Sequence, residues 1–119
     1  MNIPSLSELS AYYSRADLLE KVVEQLKKDF NWFNFEITFK GAEESPYQEL
    51  YNQILPLIED LLNDDYPKLM AMLYRIDLDE DFLNRKLKEN AQADTDEIIT
   101  DLIIKRELQK VIIREMYSS

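Results

Sequence analysis

Carboxylates are the main side chains on which this 119-residue sequence can build reactive or metal-binding chemistry. The chain contains 24 acidic residues but no His and no Cys. Without His or Cys, one chain cannot form Ser-His-Asp or Cys-His catalytic sets, or zinc sites built on imidazole or thiolate. The single glycine also excludes a Walker A loop and a dinucleotide-binding fingerprint. The sequence therefore predicts binding rather than catalysis, with no catalytic residue, resident metal or cofactor.

The acidic run Asp77-Leu78-Asp79-Glu80-Asp81 resembles the start of a calcium-binding loop, because carboxylates occupy alternate positions. The sixth and twelfth positions of such a loop need Gly and Glu, but here they are Phe82 and Lys88. The run therefore indicates an acidic helix start, where the helix dipole favours negative charge. A carboxylate-based metal-dependent enzyme stays an alternative, with adjacent acids such as Asp64 and Asp65 as ligands for Mg²⁺.

A polar junction, Tyr74, Arg75 and Asp77, lies where one amphipathic pattern ends and the next begins. In the structural interpretation, Arg75 donates to the last carbonyls of the first helix, and Asp77 with Glu80 caps the amides of the second. In the functional interpretation, Arg75 lies in a cleft and holds an anionic ligand or a partner's carboxylate.

Three basic residues, Arg106, Lys110 and Arg114, recur every four positions and form a basic ridge on the final predicted helix. The ridge either pairs with the acidic middle of the same chain or docks an acidic partner or a second copy. That middle is strongly acidic, since residues 41–101 hold 16 acids and 5 bases while the net charge of the whole chain is −10. Such a surface repels nucleic acid and anionic membranes. It also permits another hypothesis, an acidic nucleic-acid mimic that sequesters a DNA-binding protein.

An aromatic cluster containing Trp32, Phe33, Phe35 and Phe39 falls in residues 32–40, the least helical stretch. Its alternation of apolar and polar residues is typical of a strand, but no second strand pattern exists to pair with it. We expect an extended segment laid across the helices, with pairing to a second copy as the alternative. The aromatic side chains then pack in the core or, if exposed, form an interaction hot spot.

Capping residues and apolar periodicity predict a single domain, residues 1–119, that is all-α and forms a bundle of five to six helices. Ser5, Ser14, Ser45 and the run Asn63-Asp64-Asp65 are the predicted caps of the first four helices, and Pro56 predicts a bend or a break between two helices. The last helix, about 95–117, is apolar on more than one face and is therefore predicted to be central. The predicted core includes seven apolar residues: Leu26, Ile54, Ile58, Leu73, Leu102, Leu108 and Ile112.

Two segments, Leu73-Tyr74-Arg75-Ile76-Asp77 and Arg106-Glu107-Leu108-Gln109-Lys110-Val111, resemble those of small uncharacterised bacterial helical proteins. The resemblance implies a bacterial cytoplasmic origin and brings no established activity or site residues. The absence of a signal-peptide pattern also favours the cytoplasm. The predicted function is a non-catalytic protein-interaction module, homodimeric or bound to an unknown protein partner, that uses the basic ridge or the aromatic segment. No nucleic-acid or membrane partner is expected.

Overall fold

Helices dominate the chain in the computed structural model, which describes residues 4–30, 36–41 and 45–117. A 3₁₀ helix, Leu6–Tyr12, precedes five α-helices: α1 (Ala16–Asp29), α2 (Pro46–Asp64), α3 (Tyr66–Arg75), α4 (Glu80–Glu89) and α5 (Thr95–Tyr117). Those ranges contain no strand, so the all-α prediction is confirmed. None of the helices in the described ranges combines the length and hydropathy needed to cross a membrane.

Helix α5 is the centre of the bundle, as its sequence predicts. It contacts α1, α2, α4 and the 3₁₀ helix. Because it is touched from several sides, Ile99, Ile103 and Ile104 are all fully buried. The seven core residues predicted from the sequence are all buried.

Two of the four predicted caps are present. The Ser45 hydroxyl accepts a hydrogen bond from the amide of Gln48, and the Asp65 carboxylate accepts one from the amide of Lys68, each at 3.2 Å. The Ser5 prediction is wrong, because the Ser5 hydroxyl bonds to the Ser7 hydroxyl instead of a helix amide.

The Ser14 prediction is also wrong. Helix α1 begins after Arg15, whose side chain caps no amide. The guanidinium of Arg15 instead forms two hydrogen bonds to the carboxylate of Asp17, at 2.9 and 3.0 Å. Ser14 is thus one residue too early to accept from the first free amides of this helix.

Helix α2 is continuous through Pro56, so the predicted alternative of two separate helices is wrong. Proline removes one amide donor from the helix interior, which usually breaks or bends it. Here Ile54 and Ile58 lie on either side of the proline and are both fully buried. Packing against the core on both sides of Pro56 therefore maintains one helix.

The described part of the aromatic segment, residues 36–41, is extended and has no strand partner among the described residues. Ile37 is buried and Phe39 is half-buried, whereas Glu36, Thr38 and Lys40 are exposed. The alternation predicted from the sequence therefore turns the apolar side chains of this part toward the bundle.

Side chains of α2 satisfy the backbone of this extended segment. The Gln53 amide both accepts from the backbone N–H of Thr38 and donates to its carbonyl, at 2.9 and 2.8 Å. The Glu49 carboxylate accepts from the N–H groups of Lys40 and Gly41, at 2.7 and 3.1 Å. Residues 36–41 are thus laid across α2, as expected.

Candidate functional site

The basic ridge faces its own chain, beginning with Arg106. Its Nε donates to the carbonyl of Ile76 at 2.9 Å, and an Nη atom reaches the carboxylate of Asp77 at 3.2 Å. Its other Nη donates to the Gln109 side chain at 2.6 Å. Arg106 therefore performs the role that the sequence assigns to Arg75, because a guanidinium from the central helix reaches the C-terminal end of α3.

The other two ridge residues bind α1. The ammonium of Lys110 lies 2.5 Å from the Asp29 carboxylate, and the guanidinium of Arg114 donates to the side chain of Gln25. Pairing with the acidic middle of the chain is thus correct only for Arg106. In the described part of the chain, the basic ridge is therefore not a free docking surface, because each of its three residues already binds another residue of the same chain.

A buried carboxyl group, Glu107, lies among the ridge residues. It is fully buried, and neither of its oxygens accepts a hydrogen bond from a described residue. Burial raises the pKa of Glu107 to about 8; the adjacent Asp29 carboxyl contributes to this rise, while Lys110 partly offsets it. At neutral pH Glu107 is therefore protonated and can donate to Asp29.

Asp29 is the ionised member of this pair. Burial acts to raise its pKa, but hydrogen bonds from Lys110 and from the Glu107 carboxyl outweigh that effect and hold the pKa of Asp29 below its usual value. Two neighbouring carboxyl groups with oppositely shifted pKa values are typical of acid–base sites. Full burial of Glu107 keeps it from contact with a substrate, so we assign this pair no catalytic role.

The polar junction between α3 and α4 forms a Schellman turn, a common helix ending closed by two backbone hydrogen bonds. The amide of Leu78 donates to the carbonyl of Leu73 at 2.8 Å, and the amide of Asp77 donates to that of Tyr74 at 3.1 Å. Asp77 occupies the left-handed position, with φ of 65°. Leu73 and Leu78 are both buried, which provides the apolar contact that accompanies this turn.

The predicted capping role of Asp77 is wrong. The carboxylate that caps α4 belongs to Asp79, which accepts from the amide of Phe82 at 2.8 Å. The turn places Asp77 three residues before the first helical residue of α4, where its backbone closes α3 and its side chain meets Arg106.

Tyr74 and Arg75 point away from the bundle. Tyr74 is 76% exposed, far more than Tyr66 on the same helix at 47%. Arg75 is exposed and makes no ion pair or hydrogen bond with any residue in the described ranges. A large aromatic side chain and an unpaired guanidinium, the two types that dominate binding energies at interfaces, thus stand side by side.

Tyr74 lines two grooves, which also share Ala71. One has a volume of about 300 Å³, the other about 560 Å³. Together the lining residues define what we term the Tyr74 surface: Met70, Ala71, Tyr74, Arg75, Asp77, Leu78, Asp79 and Glu80. The surface therefore has an apolar floor, one free cation and a rim that is mostly acidic.

A third cleft, about 400 Å³ in volume, separates the 3₁₀ helix from α4 and α5. Its lysines are engaged by carboxylates of their own helices: Lys105 lies 2.8 Å from Asp101, and Lys86 lies 3.2 Å from Glu89. The Tyr47 hydroxyl also donates to Asp101. Because of these pairings, neither lysine of the cleft is free to bind an anionic ligand.

An acidic cluster marks the start of α5. Asp94, Asp96 and Glu97 place one carboxylate oxygen each within 4.8 Å of one another, an arrangement that oxygen-binding cations use. A hydrogen bond with Asp94 raises the pKa of Glu97, and one with Asp96 raises that of Glu59. Acidic side chains at this position are also favoured by the helix dipole alone.

Three of the predicted interaction residues, Trp32, Phe33 and Phe35, lie outside the described residues. The structure therefore places the polar junction and the basic ridge next to each other through Arg106 and Asp77, and it leaves the aromatic prediction untested. Sequence reasoning missed Glu107, although a carboxyl group between Ile103 and Val111 on a helix apolar on more than one face is a detectable signal.

Comparison with known proteins provides no relative for this chain: no protein-family model, no curated protein and no solved structure matches it. The resemblance to small bacterial helical proteins therefore stays a prediction from two short segments.

Proposed function

We propose that this chain is a non-catalytic protein-interaction module that docks a partner protein on the Tyr74 surface. The observation that carries the proposal is the 76% exposure of Tyr74, which lines two grooves. An exposed tyrosine whose surroundings are partly apolar gains contact area on binding at little cost in side-chain entropy.

The charge around Tyr74 supports a partner segment that carries an apolar anchor flanked by Lys or Arg. Asp79 and Glu80 border the smaller groove, and residues 41–101 carry a large acidic excess. Basic side chains therefore gain favourable electrostatics at the rim, while Arg75 is free to bind a carbonyl or carboxylate of the same segment. A second copy is less suited to this surface because each copy carries a net charge of −10.

The test compares two peptide sets that share Leu, Trp or Tyr anchors, one flanked by Lys and Arg and the other by Glu. We expect the basic set to bind and to shift the NMR signals of residues 70–80. Tyr74→Ala is expected to weaken binding about thirtyfold or more, since truncation of a hot-spot residue costs about 2 kcal/mol or more. Tyr66→Ala is the matched control and should bind normally.

Equal binding of both peptide sets, or unchanged affinity of the Tyr74→Ala protein, would contradict the proposal. Light scattering provides a further check on the homodimer. If the protein forms a concentration-dependent dimer that Tyr74→Ala abolishes, then the partner on the Tyr74 surface is a second copy of this chain and not a basic segment. The proposal retains the bacterial, cytoplasmic setting that the sequence predicts.

The two alternative functions have their own tests. For the metal-dependent enzyme, the best candidate metal site is formed by Asp94, Asp96 and Glu97. If that function is correct, Mg²⁺ or Mn²⁺ should raise the melting temperature, and Glu97→Gln should remove that effect. The nucleic-acid mimic depends on the acidic middle alone and requires competition with DNA for a DNA-binding protein. Because Tyr74 and Arg75 present the free contact groups of an interface, the interaction module is the better supported function.

A further inference from the structure

A polar cluster interrupts the apolar contact between α1 and α5. Gln25 and Asp29 come from α1, whereas Glu107, Lys110 and Arg114 come from α5; we term these five residues the Glu107 cluster. Within it, the Gln25 amide donates to Asp29 at 3.0 Å, and Lys110 lies 3.6 Å from a Glu107 oxygen. The cluster therefore joins two helices through charged and hydrogen-bonding groups.

The cluster holds two carboxyl groups and two cations, but Lys110 is the cation that lies within ion-pair distance of those carboxyl groups. Lys110 is much closer to Asp29, at 2.5 Å, than to Glu107, and Arg114 is bound to Gln25. An ionised Glu107 would be a fully buried charge beside a second negative charge, with no hydrogen bond to either oxygen. Such a charge is strongly destabilising. A proton on Glu107 removes the charge and supplies a donor for Asp29.

We propose that the protonated Glu107 side chain stabilises the contact between α1 and α5, and that loss of this proton favours local opening of α1 from the bundle. The Glu107 cluster is thus a pH-sensitive contact built into the fold. The proposal is independent of the Tyr74 surface, which lies on α3 and the link to α4.

Other charged groups that face α5 act elsewhere along the helix. From α2, the Tyr47 phenol bonds to Asp101, and from the α3–α4 link, Asp77 meets Arg106. From α1 itself, Lys21 pairs with Glu115. Among the residues that the structure describes, Asp29 and Lys110 remain as the charged groups that act on the Glu107 carboxyl.

The direction of the pH effect follows from proton binding. Glu107 has a pKa of about 8 in the folded chain and 4.5 when exposed, so opening of α1 releases a proton between these pH values. The equilibrium constant for opening then rises about tenfold per pH unit and levels off above the folded pKa. Asp29 does not contribute in this window, because its pKa is lowered from a value of 3.8.

Amide hydrogen exchange of the whole chain, expressed as protection factors, measures this opening from pH 5.5 to 7.5. The ratio of the α1 protection factors in the wild type to those in Glu107→Gln should fall by on the order of 100-fold as the pH rises across this range. Glutamine has nearly the same shape and donates to Asp29 at every pH. Glu115→Gln is the matched control, because it removes an exposed carboxylate that faces α1 on the same helix; it should follow the wild type.

A constant ratio of protection between the wild type and Glu107→Gln would overturn the proposal. Carbon-13 NMR of the Glu107 carboxyl in the wild type provides a second readout if the variant does not fold. A titration midpoint near 8 supports the proposal, and one near 4.5 overturns it. Asp29→Asn should lower that midpoint, since it removes the second negative charge.

Discussion

At the scale of single residues, Asp77 shows how one position serves two contacts. Its backbone has the left-handed conformation that closes α3, and its side chain pairs with Arg106. A left-handed conformation strains most residues because Cβ approaches the carbonyl oxygen, although Asp tolerates it better than others. The ion pair offsets little of this strain, because the Asp77 side chain is 79% exposed.

Substitution at Asp77 separates these two roles. Asp77→Gly is expected to be at least as stable as the wild type, and about 1 kcal/mol more stable than Asp77→Ala, because only glycine removes the strain. Urea unfolding of the three proteins measures the difference. Equal stability of the glycine and alanine variants would show that the position carries no strain.

Residue types alone could not identify the partner of the α3 carbonyls. Arg75 is the nearest arginine in sequence, and local reasoning therefore assigns it to the end of α3. Arg106, 30 residues away from Ile76, makes the contact instead. Whether Arg106 meets Ile76 depends on how α5 crosses the bundle, and no local sequence pattern contains that information.

At the scale of elements, the extended segment shows how a strand-like stretch is stabilised in an all-α protein. A strand normally satisfies its amides and carbonyls with a neighbouring strand. Here Gln53 and Glu49 replace that neighbour with side-chain donors and acceptors from α2. The alternation that predicts extended backbone is thus correct, and the partner is a helix surface.

Removal of the Gln53 side chain should release this segment locally. Gln53→Ala is expected to cost about 1–3 kcal/mol, since two hydrogen bonds to Thr38 are lost. Gln48→Ala is the control, because Gln48 is exposed on the same helix and, within the described part of the chain, its side chain bonds to Asn52 alone. Exchange at the Thr38 amide should accelerate in the Gln53 variant alone. Unchanged exchange there would mean that the apolar contacts of Ile37 hold the segment unaided.

At the scale of the whole molecule, apolar periodicity was sufficient to predict the bundle and its central helix. Helix bounds depend on neighbours within a few residues, which the sequence displays directly. The contacts of the candidate site involve residues far apart in sequence instead. Lys110 binds Asp29, 81 positions away, and Gln109 donates to the carbonyl of Pro4, 105 positions away. Such pairings depend on helix packing, so the Glu107 cluster emerged only from the structure. The sequence singled out Tyr74, Arg75 and Asp77, and the structure added the grooves that Tyr74 lines.

The central position of α5 gives a stability prediction. Leu108 is fully buried, so Leu108→Ala should destabilise the protein by about 2–5 kcal/mol. Ile113→Ala should cost less, because Ile113 is only half-buried on the same helix. Chemical denaturation compares the two. Similar unfolding free energies for both variants would be inconsistent with α5 as the centre of the core.

The late position of α5 in the sequence also affects how the chain folds during synthesis. Helix α1 is made long before the residues against which it packs, since Asp29 precedes Lys110 by 81 positions. At cellular translation speeds of about 5–20 residues per second, that interval lasts roughly 4–16 seconds. During it, the apolar faces of α1 and α2 have no completed core to enter. We therefore expect the nascent chain to expose apolar surface until α5 has been synthesised.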